Sequence, residues 1–169
     1  GNEIWREIYD LGGYDTATSI IVNDDSYYIG GMTNQGAGAF DYYLIKVDNN
    51  GTIVWENMYG GESNDPLYEI KKFNNGDLLL VGYSCSFNAD QNAVGWLIRV
   101  DENGNEVWSN TYSNINATNN NLYGTVITSN ENIYSVLSHT EDINGNRISL
   151  LKINEFGVQE WIKSYDIGH

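Results

Sequence analysis

Acidic side chains are the groups in this sequence with the clearest chemical potential. Asp and Glu number 23 against 8 Lys and Arg, which gives a formal charge of −15. Two carboxylates that flank a sugar linkage can hydrolyse it. Asp10, Asp15 and Asp65 lie near the predicted start of the first strand of a repeat. They could form a polar ring that binds a ligand or cation, or they could accept backbone N–H groups where the chain turns inward. The second role is favoured, because the position recurs and catalytic pairs usually break a repeat.

Aromatic residues offer a different chemistry, the recognition of sugars. Trp96 interrupts the repeat pattern, since the sibling position in the first repeat holds Tyr43. An aromatic ring can cover a pyranose face while amides and carboxylates bind the hydroxyl groups. Packing between sheets is the alternative role for such rings. If the chain binds a ligand, the predicted contact residues are Asp15, Asp41, Asp65 and Trp96.

The spacing of histidine and cysteine predicts no catalytic residue, no metal site and no cofactor. His139 and His169 have no second histidine at ligand spacing. Cys85, the single cysteine, has no histidine near it in sequence, so we expect a half-buried structural thiol.

Two turns begin like a calcium-binding loop, DNNG at 48–51 and DENG at 101–104. Such a loop needs a bidentate acid at its twelfth position, where these segments have Tyr59 and Tyr112. The segment 142–146 also lacks that acid. We therefore predict ordinary turns, in which Asp and Asn bind their own backbone.

An internal repeat must position all these residues. Four W-x-x-x-Y pairs recur at intervals of 50, 53 and 53 residues. They are Trp5–Tyr9, Trp55–Tyr59, Trp108–Tyr112 and Trp161–Tyr165. Each of the last three follows a related segment, LIKVDNNGTIVW, LIRVDENGNEVW or LLKINEFGVQEW. A period near 50 residues is typical of repeat architectures.

Each repeat reads as two hairpins, strands a–b and then c–d. Short runs rich in β-branched and aromatic residues flank polar turns, and no stretch keeps a helical period. Glycine closes most turns, but Asp25 and Glu131 stand in its place in two a–b turns, which we expect to be of another type. The prediction is an all-β fold of β-propeller blades. The boundaries are an N-terminal d-type strand at 1–9 and blades at 10–59, 60–112 and 113–169, all in one domain.

The segments YGGESND (59–65) and DYYLIKVDNNG (41–51), with W-x-x-x-Y, resemble a large group of bacterial and archaeal propeller repeats. The resemblance covers nearly the whole chain. The third repeat departs from the pattern, because Ser113 and Asn114 replace the glycine pair. The resemblance implies a propeller scaffold that is mostly found outside the cell or at its surface, and it brings no catalytic motif.

Function is predicted only by class. The favoured class is a non-enzymatic extracellular recognition or scaffold module that binds a glycan or a protein. The alternative is a secreted polysaccharide hydrolase or lyase with acids at the channel mouth. Nucleic acid is excluded, because an acidic chain repels phosphate. Membrane insertion is not expected either, since no apolar run approaches the ~20 residues that a bilayer requires.

Assembly is an open question for the sequence, because three blades fall short of the roughly four to eight in a propeller. Two chains could close a six-bladed ring, the chain could be a segment of a longer array, or three repeats could form a compact body. The homodimer is favoured, since an open blade edge exposes unpaired backbone. In that dimer residues 1–9 pair as a d strand.

Overall fold

The computed structural model describes residues 1–115, 117–140 and 145–165. These residues form twelve β-strands and no helix. The strands are β1 (Asp15–Val22), β2 (Ser26–Thr33), β3 (Asp41–Asp48), β4 (Ile53–Tyr59), β5 (Leu67–Lys72), β6 (Leu78–Ser84), β7 (Val94–Val100), β8 (Glu106–Tyr112), β9 (Asn119–Ile127), β10 (Ile133–Thr140), β11 (Asn146–Ile153) and β12 (Gln159–Tyr165). The described residues therefore include no helix that is long and apolar enough to cross a membrane.

The strands form three separate four-stranded antiparallel sheets, one for each repeat. Strand order follows the chain in each sheet: β1–β4 in the first sheet, β5–β8 in the second and β9–β12 in the third. The register repeats as well, since Lys46 pairs with Trp55, and Arg99 pairs with Trp108. The prediction of an all-β chain with three four-stranded repeats is confirmed.

The predicted N-terminal strand is the exception. Residues 1–9 belong to no strand, although they carry the same W-x-x-x-Y pair as the last strand of each sheet. Such a strand would pair with a c strand, and β11, at the far end of the chain, is already paired with β12. Within the single chain the segment forms no strand, because no described c strand has a free edge for it, and its pairing as a d strand in a homodimer stays a prediction.

The hairpin turns explain the spacing of glycine. Gly51 and Gly104 adopt φ of 83° and 80°, which costs little only without a Cβ. Asp48 closes its turn by accepting the N–H groups of Asn50 and Thr52, and these bonds lower the pKa of its carboxyl group. The prediction of ordinary turns at 48–51 and 101–104 is confirmed, whereas most of the segment 142–146 lies outside the described residues.

One a–b turn differs from the prediction. Glu131 adopts φ of 62° and donates its N–H to the Thr128 carbonyl, as Gly76 does to Phe73 in the second sheet. The turn at Glu131 is therefore of the glycine type, and the expectation of another type is wrong there. A contact from the neighbouring sheet contributes, because the Glu131 carboxylate accepts the N–H of Asn74.

The apolar core lies between successive sheets. Facing side chains of the first two sheets form one buried cluster, which includes Tyr28, Tyr42, Leu44, Leu80, Trp96 and Ile98. A second cluster joins the second and third sheets and includes Phe73, Leu79, Leu97, Leu122, Leu137 and Leu151. Each sheet therefore depends on its neighbour for burial of an apolar face.

Candidate functional site

The recurring tyrosines join one repeat to the turn of the next. The Tyr59 hydroxyl donates to the Gly104 carbonyl at 2.7 Å, and Tyr112 donates to Gly157 at 2.8 Å. Tyr9, in the N-terminal segment, donates to Gly51 at 2.7 Å. We call the turns at 48–51, 101–104 and 154–157 the receiving turns. One contact therefore occurs three times along the chain, each time between a W-x-x-x-Y pair and the following receiving turn.

The recurring tryptophans lie against the same glycines. A Cβ placed on Gly104 would lie 3.0 Å from the Trp55 ring and 2.2 Å from the Asn57 amide nitrogen. Gly157 has the same surroundings, 3.0 Å from Trp108. Glycine is required here for two reasons, since the turn needs positive φ and the neighbouring ring leaves no room for a side chain.

Arg99 reinforces the second of these junctions. Its guanidinium donates to the Asp77 carboxylate at 2.7 Å and to the Glu155 carbonyl of the next receiving turn at 2.9 Å. It also lies 4.0 Å from the centre of the Phe73 ring. The Trp108 indole donates to that same Glu155 carbonyl. Arg99 therefore combines an ion pair and a ring contact within its own sheet with a hydrogen bond to the receiving turn at 154–157.

Asp65 is buried among groups of its own chain. It is fully buried and accepts hydrogen bonds from the Gly61 N–H and from the hydroxyl groups of Ser84 and Ser86. This is the structural role considered for the acids, a carboxylate that holds the loop before its strand. A ligand role for Asp65 stays a prediction.

Asp15 is the counterpart of Asp65 in the first repeat. It accepts the N–H of Leu11, four residues earlier, as Asp65 accepts that of Gly61. In the third repeat Asn120 accepts the N–H of Asn114, six residues earlier, in the corresponding loop. The recurrence comes from this loop geometry, so binding of a ligand by Asp15 stays a prediction.

Asp41 has a different environment. It is 3% exposed, and one carboxylate oxygen accepts the Ala37 N–H at 2.8 Å. The other oxygen has no hydrogen-bond partner among the described residues. Burial raises the pKa of Asp41, and the charge of Asp65 adds to the effect. The ionised form of Asp41 is therefore incompletely satisfied, and its predicted ligand role stays a prediction.

Trp96 lies in the core between the first and second sheets. It is 3% exposed, its ring centre is 4.6 Å from that of Tyr42, and its indole donates to the Ser109 hydroxyl at 2.8 Å. Only its edge reaches a shallow depression of about 300 Å³, which Phe87, Asn110 and Thr111 also line. The packing alternative describes most of this ring, and sugar binding by Trp96 stays a prediction.

Sequence reasoning missed Phe87, which contacts the Trp96 ring edge-on at 4.9 Å and is 52% exposed. It has no counterpart in the repeat, so no periodic signal identified it. The hydroxyl groups around Asp65 were also missed. A signal existed for one of them, because Thr33 and Ser84 both end a b strand and accept the N–H two residues later.

The other reactive side chains have structural surroundings. His139 is buried, and its Nε2 lies 2.8 Å from the Ser149 hydroxyl. Cys85 is half-buried, and burial, with the charge of Asp65, raises the pKa of its thiol. His169 lies outside the described residues. Within the described ranges, no group of three or more His, Cys, Asp or Glu side chains could hold a metal ion.

Comparison with known proteins adds only a likeness of fold. No protein-family profile matches the chain, and no curated protein matches it. The chain is similar to a solved structure described as the crystal structure of the eukaryotic initiation factor, with 12% identity and a TM-score of 0.57 over 95% of this chain. The match spans 35% of that longer chain. At this identity the likeness concerns the fold alone.

Proposed function

We propose that this chain is a run of β-propeller blades that acts as a non-enzymatic recognition or scaffold module outside the cell. One observation carries the proposal: the Trp and Tyr residues that recur on β4 and β8 contact the glycine turn of the following repeat. Tyr59 and Tyr112 make the same bond to successive receiving turns. Residues that recur because they join sheets are typical of a scaffold. Chemistry on a repeat scaffold usually comes from residues that break the repeat pattern.

The propeller part of the proposal rests on the identity of the two junctions. Each sheet contributes a W-x-x-x-Y strand to the turn of the next, so successive sheets are related by a repeated step. A repeated step with a constant rotation forms a ring or a solenoid. Blades in a ring are favoured, since the resemblance to propeller repeats points the same way. That resemblance and the charge of −15 support a location outside the cell.

The surface best suited to a ligand is the depression beside Phe87. Phe87 offers an exposed ring, and Ser109 and Thr111, which alternate onto the same face of β8, supply hydroxyl groups along one wall. An apolar face beside neutral polar groups matches a pyranose ring with its hydroxyl groups. A neutral glycan is the ligand class that this surface fits, because the net charge of the chain disfavours an anionic sugar.

A glycan array followed by calorimetry tests this assignment. Phe87→Ala should weaken binding of the strongest neutral glycan about tenfold, since a stacked ring contributes roughly 1 kcal/mol beyond its buried area. Phe156→Ala is the matched control, because Phe156 is 69% exposed on a turn distant in sequence. Equal affinity of both variants would remove the depression from the proposal.

The competing class is a polysaccharide hydrolase or lyase. Reducing-end assays on a polysaccharide panel separate the two classes. Turnover by the wild-type chain that is lost in Asp41→Asn, with an unchanged circular dichroism spectrum, would overturn the non-enzymatic proposal. Binding without turnover supports it.

A further inference from the structure

One face of the third sheet is apolar and is covered by none of the residues that the structure describes. Val126, Val136, Ile148 and Tyr165 point to this side and are 60%, 37%, 44% and 53% exposed. We call these four residues the open face. In the first two sheets the same side is buried against the next sheet. The open face is therefore the third sheet's counterpart of the faces that the first and second sheets bury at the two internal junctions.

The W-x-x-x-Y pairs outnumber the receiving turns. In the part of the chain that the structure describes there are four pairs and three turns that follow them. Trp161 and Tyr165, on β12, bind no such turn among the described residues. Trp161 contacts Tyr134 and Lys163 of its own sheet. β12 pairs with β11, but its W-x-x-x-Y pair lacks the receiving turn that the two internal junctions provide for β4 and β8.

The first receiving turn is occupied by the N-terminal segment, residues 1–9. Tyr9 binds Gly51, and the Trp5 ring lies near the same glycine. Tyr9 also packs against the cluster of Tyr43, Ile45 and Val47, and the Trp5 ring contacts Tyr27. The segment nevertheless joins no sheet, and its Ile4 and Ile8 side chains are 92% and 82% exposed. It fills the receiving turn without the strand pairing that supports β4 and β8.

Chemistry at one position also distinguishes the N-terminal segment from β12. Two residues after each internal Trp stands an amide donor, Asn57 or Asn110, which donates to the glycine carbonyl at 3.2 or 3.4 Å. The N-terminal segment has Glu7 there, which cannot donate when ionised. Lys163 occupies that position on β12 and can donate.

Charge agrees with this difference. The Glu7 side chain lies beside this turn, since its Cγ would be 2.8 Å from a Cβ placed on Gly51. Burial raises the pKa of the Tyr9 hydroxyl, and the negative charges of Glu7 and Asp48 raise it further. An ammonium group at the position of Glu7 would attract Asp48, whereas Glu7 repels it. The first receiving turn is therefore better matched to β12 than to the segment that fills it.

We propose that the open face of one copy docks on the first sheet of a second copy, where β12 displaces residues 1–9 from the first receiving turn. Tyr165 then donates to Gly51 of the second copy, and Lys163 lies beside its Asp48. Two such contacts close a symmetric head-to-tail pair, since a heterologous contact forms a ring when its rotation closes. The proposal does not depend on what the module binds.

Light scattering across a concentration series tests the displacement. Deletion of residues 1–9 should favour a species of about 38 kDa, twice the 19.0 kDa chain. The dissociation constant should fall about tenfold or more, because the receiving turn no longer has to be vacated first. Should the deleted chain fold poorly, the double variant Trp5→Ala, Tyr9→Phe releases the segment in the full chain and should give the same direction of change.

Lys163→Glu in the deleted chain should abolish the 38 kDa species. Lys72→Glu is the matched control, since it makes the same charge change on an exposed part of β5 and should leave that species in place. A 19 kDa monomer in both released chains would overturn the proposal. So would a dimer that disappears on deletion, because residues 1–9 would then act as the exchanged strand.

Discussion

Replacement of Gly104 by alanine tests the contact that repeats along the chain. The new Cβ would lie 2.2 Å from the Asn57 amide nitrogen and 3.0 Å from the Trp55 ring, and the residue would keep φ of +80°. Gly76→Ala is a matched control, because Gly76 has φ of +99° in a turn with the same hydrogen bond but has no atom within 4 Å of a Cβ. The two variants share the backbone cost and differ in the clash.

The magnitudes follow from these two terms. An L-residue in the left-handed region costs about 1–2 kcal/mol, which is the expectation for Gly76→Ala. Overpacking adds about 1–3 kcal/mol, so Gly104→Ala should lose about 2–5 kcal/mol of the free energy of unfolding. In a domain of this size each kcal/mol lowers Tm by roughly 2–4 °C.

Urea unfolding followed by circular dichroism measures both variants, and tryptophan fluorescence reports the displaced Trp55 ring. Gly157→Ala should repeat the larger loss, because its Cβ would meet Trp108 at 3.0 Å. Equal destabilisation by Gly104→Ala and Gly76→Ala would refute the idea that the glycine accommodates the neighbouring ring.

Three further predictions concern single polar groups. Tyr112→Phe should lower the free energy of unfolding by about 1–2 kcal/mol in urea titrations, since it removes a buried hydrogen bond to Gly157. Burial raises the pKa of Tyr59 to about 12, so the folded state favours the neutral phenol. The resulting stability is complete below pH ~10 and is lost as pH rises through about 12. Tyr59→Phe should flatten that decline, as measured by urea titrations at stepped pH. Asp41→Asn should raise thermal stability at pH 7 by about 1 kcal/mol, because the amide can keep the Ala37 bond without a buried charge. The advantage should vanish near pH 3, where wild-type Asp41 is protonated; a variant less stable at pH 7 would contradict this account.

Much of the fold could be predicted because its signals are local. Positive φ at a turn demands glycine, and alternation places Trp55 and Tyr59 on one side of a strand, so both can be read from a few adjacent residues. The period then fixed the number of sheets. The N-terminal segment shows that W-x-x-x-Y specifies a contact with a turn, whereas a strand also needs a partner edge, which no described strand of the single chain offers it.

The candidate site was less predictable because its contacts join distant residues. The partner of Tyr59 is Gly104, 45 residues away, and no pattern in either local sequence predicts this contact. Glu131 takes the glycine conformation partly through a contact with Asn74, which lies in another repeat. Trp96 has the residue type of a sugar site, but its face of β7 points into the core.

The direction of the tyrosine–glycine link has a consequence for synthesis of the chain. The donor always precedes the acceptor, by 45 residues for both Tyr59 and Tyr112. A ribosome that adds about 5–20 residues per second leaves each completed sheet waiting roughly 2–9 s for the turn that covers it. During that interval an apolar face is available to chaperones or to another nascent chain. We expect polysome-bound chains halted after residue 100 to be more aggregation-prone than chains halted after residue 157.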